Sequence, residues 1–209
     1  MDLSSKNIQY SKVEMISLIF ATNNSNKVIE VKSLLNDSFE ILSLAEAGMN
    51  IDIPEPFNTL EENAIEKADI IYKLKGMSCF AEDTGLEVNA LHGEPGVKSA
   101  RYAGPERSFE NNINKLLNNL RDITDRSARF RTVICLTING KHNIFEGECT
   151  GTIIHERRGS SGFGYDPVFI PDEATETFAE MSLPEKNIYS HRKKAIEKLI
   201  SWLQETTIA

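Results

Sequence analysis

Residues 79–86, Cys-Phe-Ala-Glu-Asp-Thr-Gly-Leu, constrain this chain more than any other stretch. Small and apolar side chains run straight into two adjacent carboxylates, a hydroxyl and a glycine. The first half reads as a buried strand, and Thr84-Gly85 as the turn that ends it. Acids at the end of a buried strand are costly unless a positive charge meets them. Glu82 and Asp83 therefore either hold a cation or sit in water on a surface turn. Oxygen ligands of this kind favour Mg²⁺, Mn²⁺ or Ca²⁺.

A length of 209 residues fits one domain, or two lobes sharing a sheet. The expected division is a loose extension over 1–14 and one α/β domain over 15–209. The net charge of -8 argues against a general nucleic-acid or membrane-surface binder. A local cluster of lysines can still receive a small anion. The three cysteines, Cys79, Cys135 and Cys149, are odd in number and widely spaced. Cys79 and Cys135 lie in apolar strand-like runs and read as reduced core thiols of a cytoplasmic protein. The apolar run at 15–21 is far too short to span a membrane, and no small-residue cleavage site follows it.

Residues 17–21 form a short buried strand, and the polar loop from Thr22 to Lys27 follows. Ser25 is placed to cap a helix whose apolar positions are Val28, Val31, Leu34 and Leu35. A strand, loop and helix in this order suit an anion, because backbone N–H groups and the helix N-terminus face it and Lys27 adds a full charge. A polar loop with an ordinary cap has the same signature, and the glycines of a P-loop are absent. Residues 39–43 are a second strand. In Asp52-Ile53-Pro54-Glu55-Pro56 the prolines stiffen the loop and hold Glu55. Thr59 to Glu62 is a capping box that opens a helix to about Lys75, with Leu60, Ala64, Ala68 and Ile71 on one face. Lys67 lies off that stripe, where a lysine ordinarily meets water.

Further along, Ser108 caps a helix with Phe109, Ile113, Leu116, Leu117 and Leu120 inward. Residues 128–138 are rich in β-branched side chains, and Asn139-Gly140 is a strong hairpin signal. The return strand covers 143–148, and a further apolar stretch lies at 152–154. The hairpin makes the sheet mixed. Glycine alternates with aromatics in Gly162-Phe163-Gly164-Tyr165-Asp166-Pro167, where small residues let a ligand approach and an aromatic face can stack on a base. Aromatics tucked into the core give the same pattern. Lys186 and Ser190-His191-Arg192-Lys193-Lys194 lead into a terminal helix. Basic residues at a helix start oppose its dipole, which points to an anionic or keto-bearing ligand.

These segments together resemble the inosine triphosphate pyrophosphatases. The matching stretches are 21–27, Glu62-Asn63-Ala64 with Lys67-Ala68, 81–86, 93–96 with 99–104, 162–167, and Glu185-Lys186-Asn187 with Ser190-His191-Arg192. They cover residues 16 to about 203, in the family's order. One departure is Asn23, where that family usually has Gly. Asn tolerates positive φ better than most residues, so the turn is expected to survive. The resemblance implies an elongated α/β fold, a mixed sheet with flanking helices in two lobes around a central cleft. It also implies a homodimer that needs Mg²⁺, with Mn²⁺ as a possible substitute, and a purine nucleoside triphosphate substrate. The reaction implied is hydrolysis of inosine, deoxyinosine and xanthosine triphosphates to monophosphate and pyrophosphate.

Residue by residue, the resemblance makes Glu55 and Asp83 metal-binding carboxylates with Glu82 beside them, and Asp83 catalytic. Thr22, Asn23, Asn24, Ser25, Asn26, Lys27, Lys67 and Thr84 would meet the triphosphate. Phe163 would stack on the base, with Gly164, Tyr165 and Asp166 shaping the slot. Lys186, His191 and Arg192 would read the base edge.

Overall fold

The computed structural model describes residues 15–35 and 38–208; the expected extension over 1–14 lies outside them. Among the described residues one sheet carries the fold, with strand order β2-β1-β3-β5-β6-β7. The strands are β1 (Ile16–Phe20), β2 (Phe39–Ser43), β3 (Cys79–Val88), β4 (Pro95–Gly96), β5 (Ser127–Ile138), β6 (Lys141–Ile153) and β7 (Phe169–Pro171). Strand β1 runs parallel to β2 and β3; β3 is antiparallel to β4 and β5, β5 to β6, and β6 to β7. The mixed sheet with flanking helices is therefore as expected.

Strand β3 differs from its reading in the sequence. It continues unbroken through Thr84-Gly85 to Val88, paired residue by residue with β5. Gly85 is not a turn residue. It is where β4 crosses closely, since a Cβ there would lie 2.7 Å from the Gly96 carbonyl oxygen. Strand β6 is likewise one long strand rather than two pieces. The hairpin turn is as read, with Asn139 and Gly140 at φ 50° and 72°.

Among the described residues five α-helices flank the sheet: α1 (Ser25–Lys32), α2 (Leu60–Lys75), α3 (Phe109–Asn119), α4 (Leu183–Tyr189) and α5 (His191–Ile208). Helix α1 is capped by Asn24 rather than Ser25: the Asn24 side chain accepts from the N–H groups of Asn26 and Lys27 at 3.0 and 3.3 Å. Thr59 caps α2 by accepting from the Glu62 N–H. The segment around Lys186 forms a helix of its own, α4, opened by Ser182 and Glu185 as a capping box.

The core falls into three clusters. Two lie on opposite faces of the sheet. Ile19, Cys79, Ala81 and Val133 meet Ala64, Ala68 and Ile71 of α2. Leu18, Phe20, Phe80 and Ile134 meet Ala195, Ile196 and Leu199 of α5. The third lies toward the other end of the sheet and joins Leu86, Phe130, Phe169 and Phe178 with Ile113 and Leu116 of α3.

Helix α5 approaches β6 most closely at Gly147, where a Cβ would stand 2.1 Å from the His191 carbonyl oxygen and 2.6 Å from the Ala195 nitrogen. Both obstacles are backbone, so only a shift of the helix would relieve the clash. Gly147→Ala is expected to lower stability by roughly 1–3 kcal/mol, read as a lower urea midpoint. An unchanged midpoint would show that the first turn of α5 is free to move.

Candidate active site

Side chains alternate along a strand, so the adjacent acids of β3 face opposite sides of the sheet. Asp83 points toward α2, and Glu82 toward α5. On the α2 side, the Lys67 ammonium lies 2.8 Å from Glu55 Oε1 and 3.0 Å from Asp83 Oδ1. Lys67 is buried, contrary to its reading as a surface lysine. It faces the strand at the edge of the apolar stripe, where two carboxylates compensate its charge. Asn63, one turn earlier, donates to Asp83 Oδ2 at 3.2 Å. It also brackets Phe57, accepting from its N–H and donating to its carbonyl oxygen. The Pro-flanked loop is thereby pinned. Arg101 donates to Glu55 Oε2 at 3.0 Å and to the Glu55 carbonyl oxygen at 3.2 Å.

Burial alone would raise the Glu55 carboxyl, but Lys67, with Lys27 and Arg101, brings it down to about 2. For Asp83 burial prevails, helped by the Glu55 charge, and its carboxyl is pushed up despite Lys67. Burial works against the Lys67 charge, yet Asp83 and Glu55 raise its pKa above the usual lysine value. The two acids share one cation but differ in proton affinity.

The expected role of Glu82 as a third metal acid does not fit this arrangement. Its side chain is fully buried on the α5 face, and its oxygens accept from Arg192 Nε and Nη2 at 2.8 and 2.9 Å and face Lys27 Nζ at 3.0 Å. Burial opposes its charge, but Arg192 and Lys27 together hold the carboxyl well below the usual range. Arg192 Nη1 also pairs with Glu30. Lys186 lies 2.8 Å from Glu30 Oε1 and 2.6 Å from Asp166 Oδ2. Asp166 in turn accepts from the Phe163 N–H at 2.9 Å, fixing the backbone of the Gly-rich segment.

Thr84, on the same face as Glu82, meets the Thr132 hydroxyl at 2.7 Å, and Thr132 meets His191 Nδ1 at 2.6 Å. The His191 ring stacks on Phe130 at 4.9 Å. Burial, reinforced by the charges of Arg192 and Lys186, lowers the His191 pKa well below 6.5, so the ring is neutral at pH 7. Phe163 has Lys186 Nζ at 5.2 Å and Arg192 Cζ at 5.6 Å from its ring centroid. Tyr165 is buried and donates to the Ser99 carbonyl oxygen at 2.9 Å.

Many of these groups line one cleft, open to solvent. Of the expected residues it is lined by Asn24, Lys27, Glu55, Asp83, Thr84, Phe163, Gly164, Tyr165, Asp166, Lys186, His191 and Arg192. Lys67 stands directly behind Glu55 and Asp83. The loop before α1 supplies the rest. Thr22 Oγ1 accepts from the Asn24 N–H, and Asn23 donates to the Ile51 carbonyl oxygen at 2.7 Å. Asn23 keeps a negative φ, so its tolerance of the left-handed region is not used. Ser25 and Asn26 are the first two residues of α1.

Sequence reasoning gave no role to Glu30, Asn63, Arg101 or Thr132. Glu30 had a legible signal, an acid one position before the inward Val31 on a short helix. Arg101 lies in the matched stretch 99–104, which gave it no role of its own, and Thr132 had no signal, since only the tertiary fold brings it to His191. Among the described residues no group of three or more His, Cys, Asp or Glu side chains could hold a metal. Glu55 and Asp83 supply two carboxylates, a set that suits an ion which keeps waters and takes ligand oxygens, as Mg²⁺ does. It does not suit zinc, which closes its shell with N and S ligands.

The Ham1 family model matches residues 18–202. The dITP/XTP pyrophosphatase of Flavobacterium psychrophilum is 50% identical over 189 residues, covering 90% of this chain and all of that protein. A HAM1 protein from Coxiella burnetii superposes with TM-score 0.83 at 40% identity, covering 91% of this chain and 100% of its own. The Staphylococcus aureus Ham1 protein does so with TM-score 0.82 at 39% identity, covering 91% and 99%. With the fold, the cleft and the matched residues in agreement, this chain belongs to the Ham1 family.

Proposed function

We propose that this protein hydrolyses non-canonical purine nucleoside triphosphates, those of inosine, deoxyinosine and xanthosine, to the monophosphate and pyrophosphate. The observation that carries the reading is the convergence of Glu55 and Asp83 on Lys67, beside the N-terminus of α1 and one cleft away from Phe163. The names of its relatives agree with it. Glu55 and Asp83 would hold Mg²⁺, with Mn²⁺ as a substitute; a bound ion supplies charge neutralisation at phosphate oxygens and acidifies coordinated water.

The chain's own groups do the rest. The N–H groups at the start of α1 and the Lys27 ammonium receive phosphate oxygens, and Lys67 adds a second positive charge at the same wall. Fixed charges aimed at phosphate oxygens are the main resource in phosphoryl transfer. Asp83 orients the attacking water and accepts its proton as the new P–O bond forms and the α–β anhydride bond breaks; the bridging oxygen leaves with the pyrophosphate. A base in this role contributes roughly 10²–10⁴-fold. Phe163 stacks on the purine. Lys186 and Arg192 donate toward the 6-keto oxygen, and neutral His191 completes the edge. Adenine, with an amino donor at that position, leaves such donors unpaired, which is how polar sites discriminate strongly. Glu82 positions Arg192 and Lys27 and does not ligate the metal.

The wider assignments follow from the same reading. The protein acts in the cytoplasm, which suits its three free, buried cysteines, and it works as a homodimer, as the resemblance implies. Its acidic net charge does not suit nucleic acid. Among the described residues no helix is long and apolar enough to cross a membrane.

Two measurements test this. In a Mg²⁺-dependent assay on deoxyinosine triphosphate, pyrophosphate should appear and orthophosphate should not, with little turnover of deoxyguanosine triphosphate. Asp83→Asn should reduce kcat at least ~100-fold while monophosphate binding persists; an unaltered rate would remove Asp83 from the chemistry. The second concerns His191, whose proton is excluded by the fold. The unfolded chain takes that proton as pH falls through about 6.5, so stability is full above pH 6.5 and declines below it, by up to ~1.4 kcal/mol per pH unit. Asp83 and Asp166, pushed up by burial, act with the opposite sign at lower pH. The comparison is therefore between the parent and His191→Gln. Urea midpoints from pH 7.5 to 5.5 should fall in the parent and flatten in the variant; parallel slopes would mean that His191 takes up its proton in the fold.

A further inference from the structure

The sequence pattern places Phe109 inward on α3, but its side chain is 44% exposed. Among the large apolar side chains that are exposed in the described residues, it is the one that lines the central cleft. Leaving a phenylalanine in water forgoes burial of one of the largest apolar side chains. Nothing local explains it. Phe109 is the first residue of α3, directly after the Ser108 cap, a position favoured by proline rather than by a large aromatic. It is also not at either position of a hydrophobic staple.

Its surroundings do give a reason. The Phe109 ring lies 6.2 Å from the Phe163 ring, tilted by 48°. Phe163 sits between Gly162 and Gly164, both at positive φ (73° and 63°), with its N–H anchored on Asp166, so what adjusts on its side is the ring about its own side-chain bonds. Phe109 is the fixed side. Buried Asn112, one turn on, donates to the carbonyl oxygens of Ser99 and Ala100 and accepts from the Ala103 N–H at 2.7 Å. Arg157 ties the same turn from outside, donating to the Glu110 carbonyl oxygen and to Asn114 Oδ1.

We propose that Phe109 is a substrate-contacting, specificity-determining residue, the second wall of an aromatic clamp that closes with Phe163 on a planar base. Carbon atoms in contact are about 3.5 Å apart, so a base between two rings needs centroids about 7 Å apart. The present 6.2 Å reaches that with an opening of less than 1 Å and a rotation that makes the rings parallel. A two-ring purine covers both faces of such a clamp more fully than a pyrimidine does, so the clamp selects by ring size, while Lys186 and Arg192 select by hydrogen bonding. This inference rests on the proposed site of base binding but not on the chemistry of hydrolysis.

The test is equilibrium binding of inosine monophosphate to the full chain by calorimetry, beside steady-state kinetics with deoxyinosine triphosphate. Phe109→Ala should weaken monophosphate binding and raise KM by about 5- to 100-fold, the usual loss for one stacking face, with kcat within about twofold. Phe109→Tyr should restore both. The side chain is exposed, so thermal stability should hardly change; Phe109→Leu, which keeps apolar bulk but no aromatic face, should resemble the alanine variant. Equal affinities for parent and Phe109→Ala would overturn the clamp, as would a Phe109→Leu variant that binds like the parent. If the parent bound the monophosphate but turned over no triphosphate, the hydrolytic reading would fail while the clamp was still measured. A parent that bound no monophosphate would overturn the clamp as well.

Discussion

The buried pair between Arg192 and Glu82 holds the site together. A carboxylate on the central strand and a guanidinium on the first turn of α5 meet in two parallel hydrogen bonds, both side chains out of contact with water. Taking two such charges from water costs several kcal/mol per ion, and only near-ideal geometry with further partners offsets it. The further partners are Lys27 for Glu82 and Glu30 for Arg192. Glu30 lies on α1, so one network joins the helix after the first strand, the central strand and the last helix. Removing one member would leave its partner's charge buried, a loss of roughly 3–5 kcal/mol. The network thus fixes where α1 begins and where α5 begins, and those two helix starts are the walls of the cleft.

Strand alternation explains why two adjacent acids behave so differently. Had the chain turned at Thr84-Gly85, both carboxylates could have faced one ion. Because β3 continues, Asp83 faces α2 and the Glu55 loop, and Glu82 faces α5. Glu82 is held well below the usual carboxylate range by its cations, whereas Asp83 is pushed up by burial and by Glu55. A group that keeps its charge under all ordinary conditions suits the support of other side chains. A carboxylate with raised proton affinity suits proton transfer.

Local rules made much of this visible in the sequence. The buried strand that carries Glu82 and Asp83, the Asn-Gly hairpin, the caps at Thr59 and Ser108 and the stiff loop around Glu55 all follow from short-range chemistry, though not the length of that strand. The misses have a common physical origin. Gly85 looks like a turn residue until a second backbone is found against it. Lys67 looks solvent-facing because helix periodicity ranks residues by hydropathy, and a lysine between two buried carboxylates is hidden by partners 12 and 16 residues away. Phe109 looks buried by the same ranking, and tertiary structure leaves it in the cleft. Arg101, Thr132 and Glu30 act through pairings that only the sheet order creates.

The charge balance of the cleft follows from the same pairings. Lys27, Lys67, Arg101, Lys186 and Arg192 face Glu30, Glu55, Glu82, Asp83 and Asp166 in two sets of ion pairs, one on each side of β3. Five cations against five carboxylates leave the site near neutrality within a chain of net charge -8. The lysines therefore do not outweigh the global sign, as a simple count of basic residues suggests; each is already compensated. A bare polyanion entering this cleft would compete with carboxylates for every cation. An anion that brings its own divalent cation meets a different balance, because the cation takes up the carboxylate charge that the lysines release. Glu55 and Asp83, which share Lys67, are the pair for which that exchange is geometrically ready, since both already point at one positive centre.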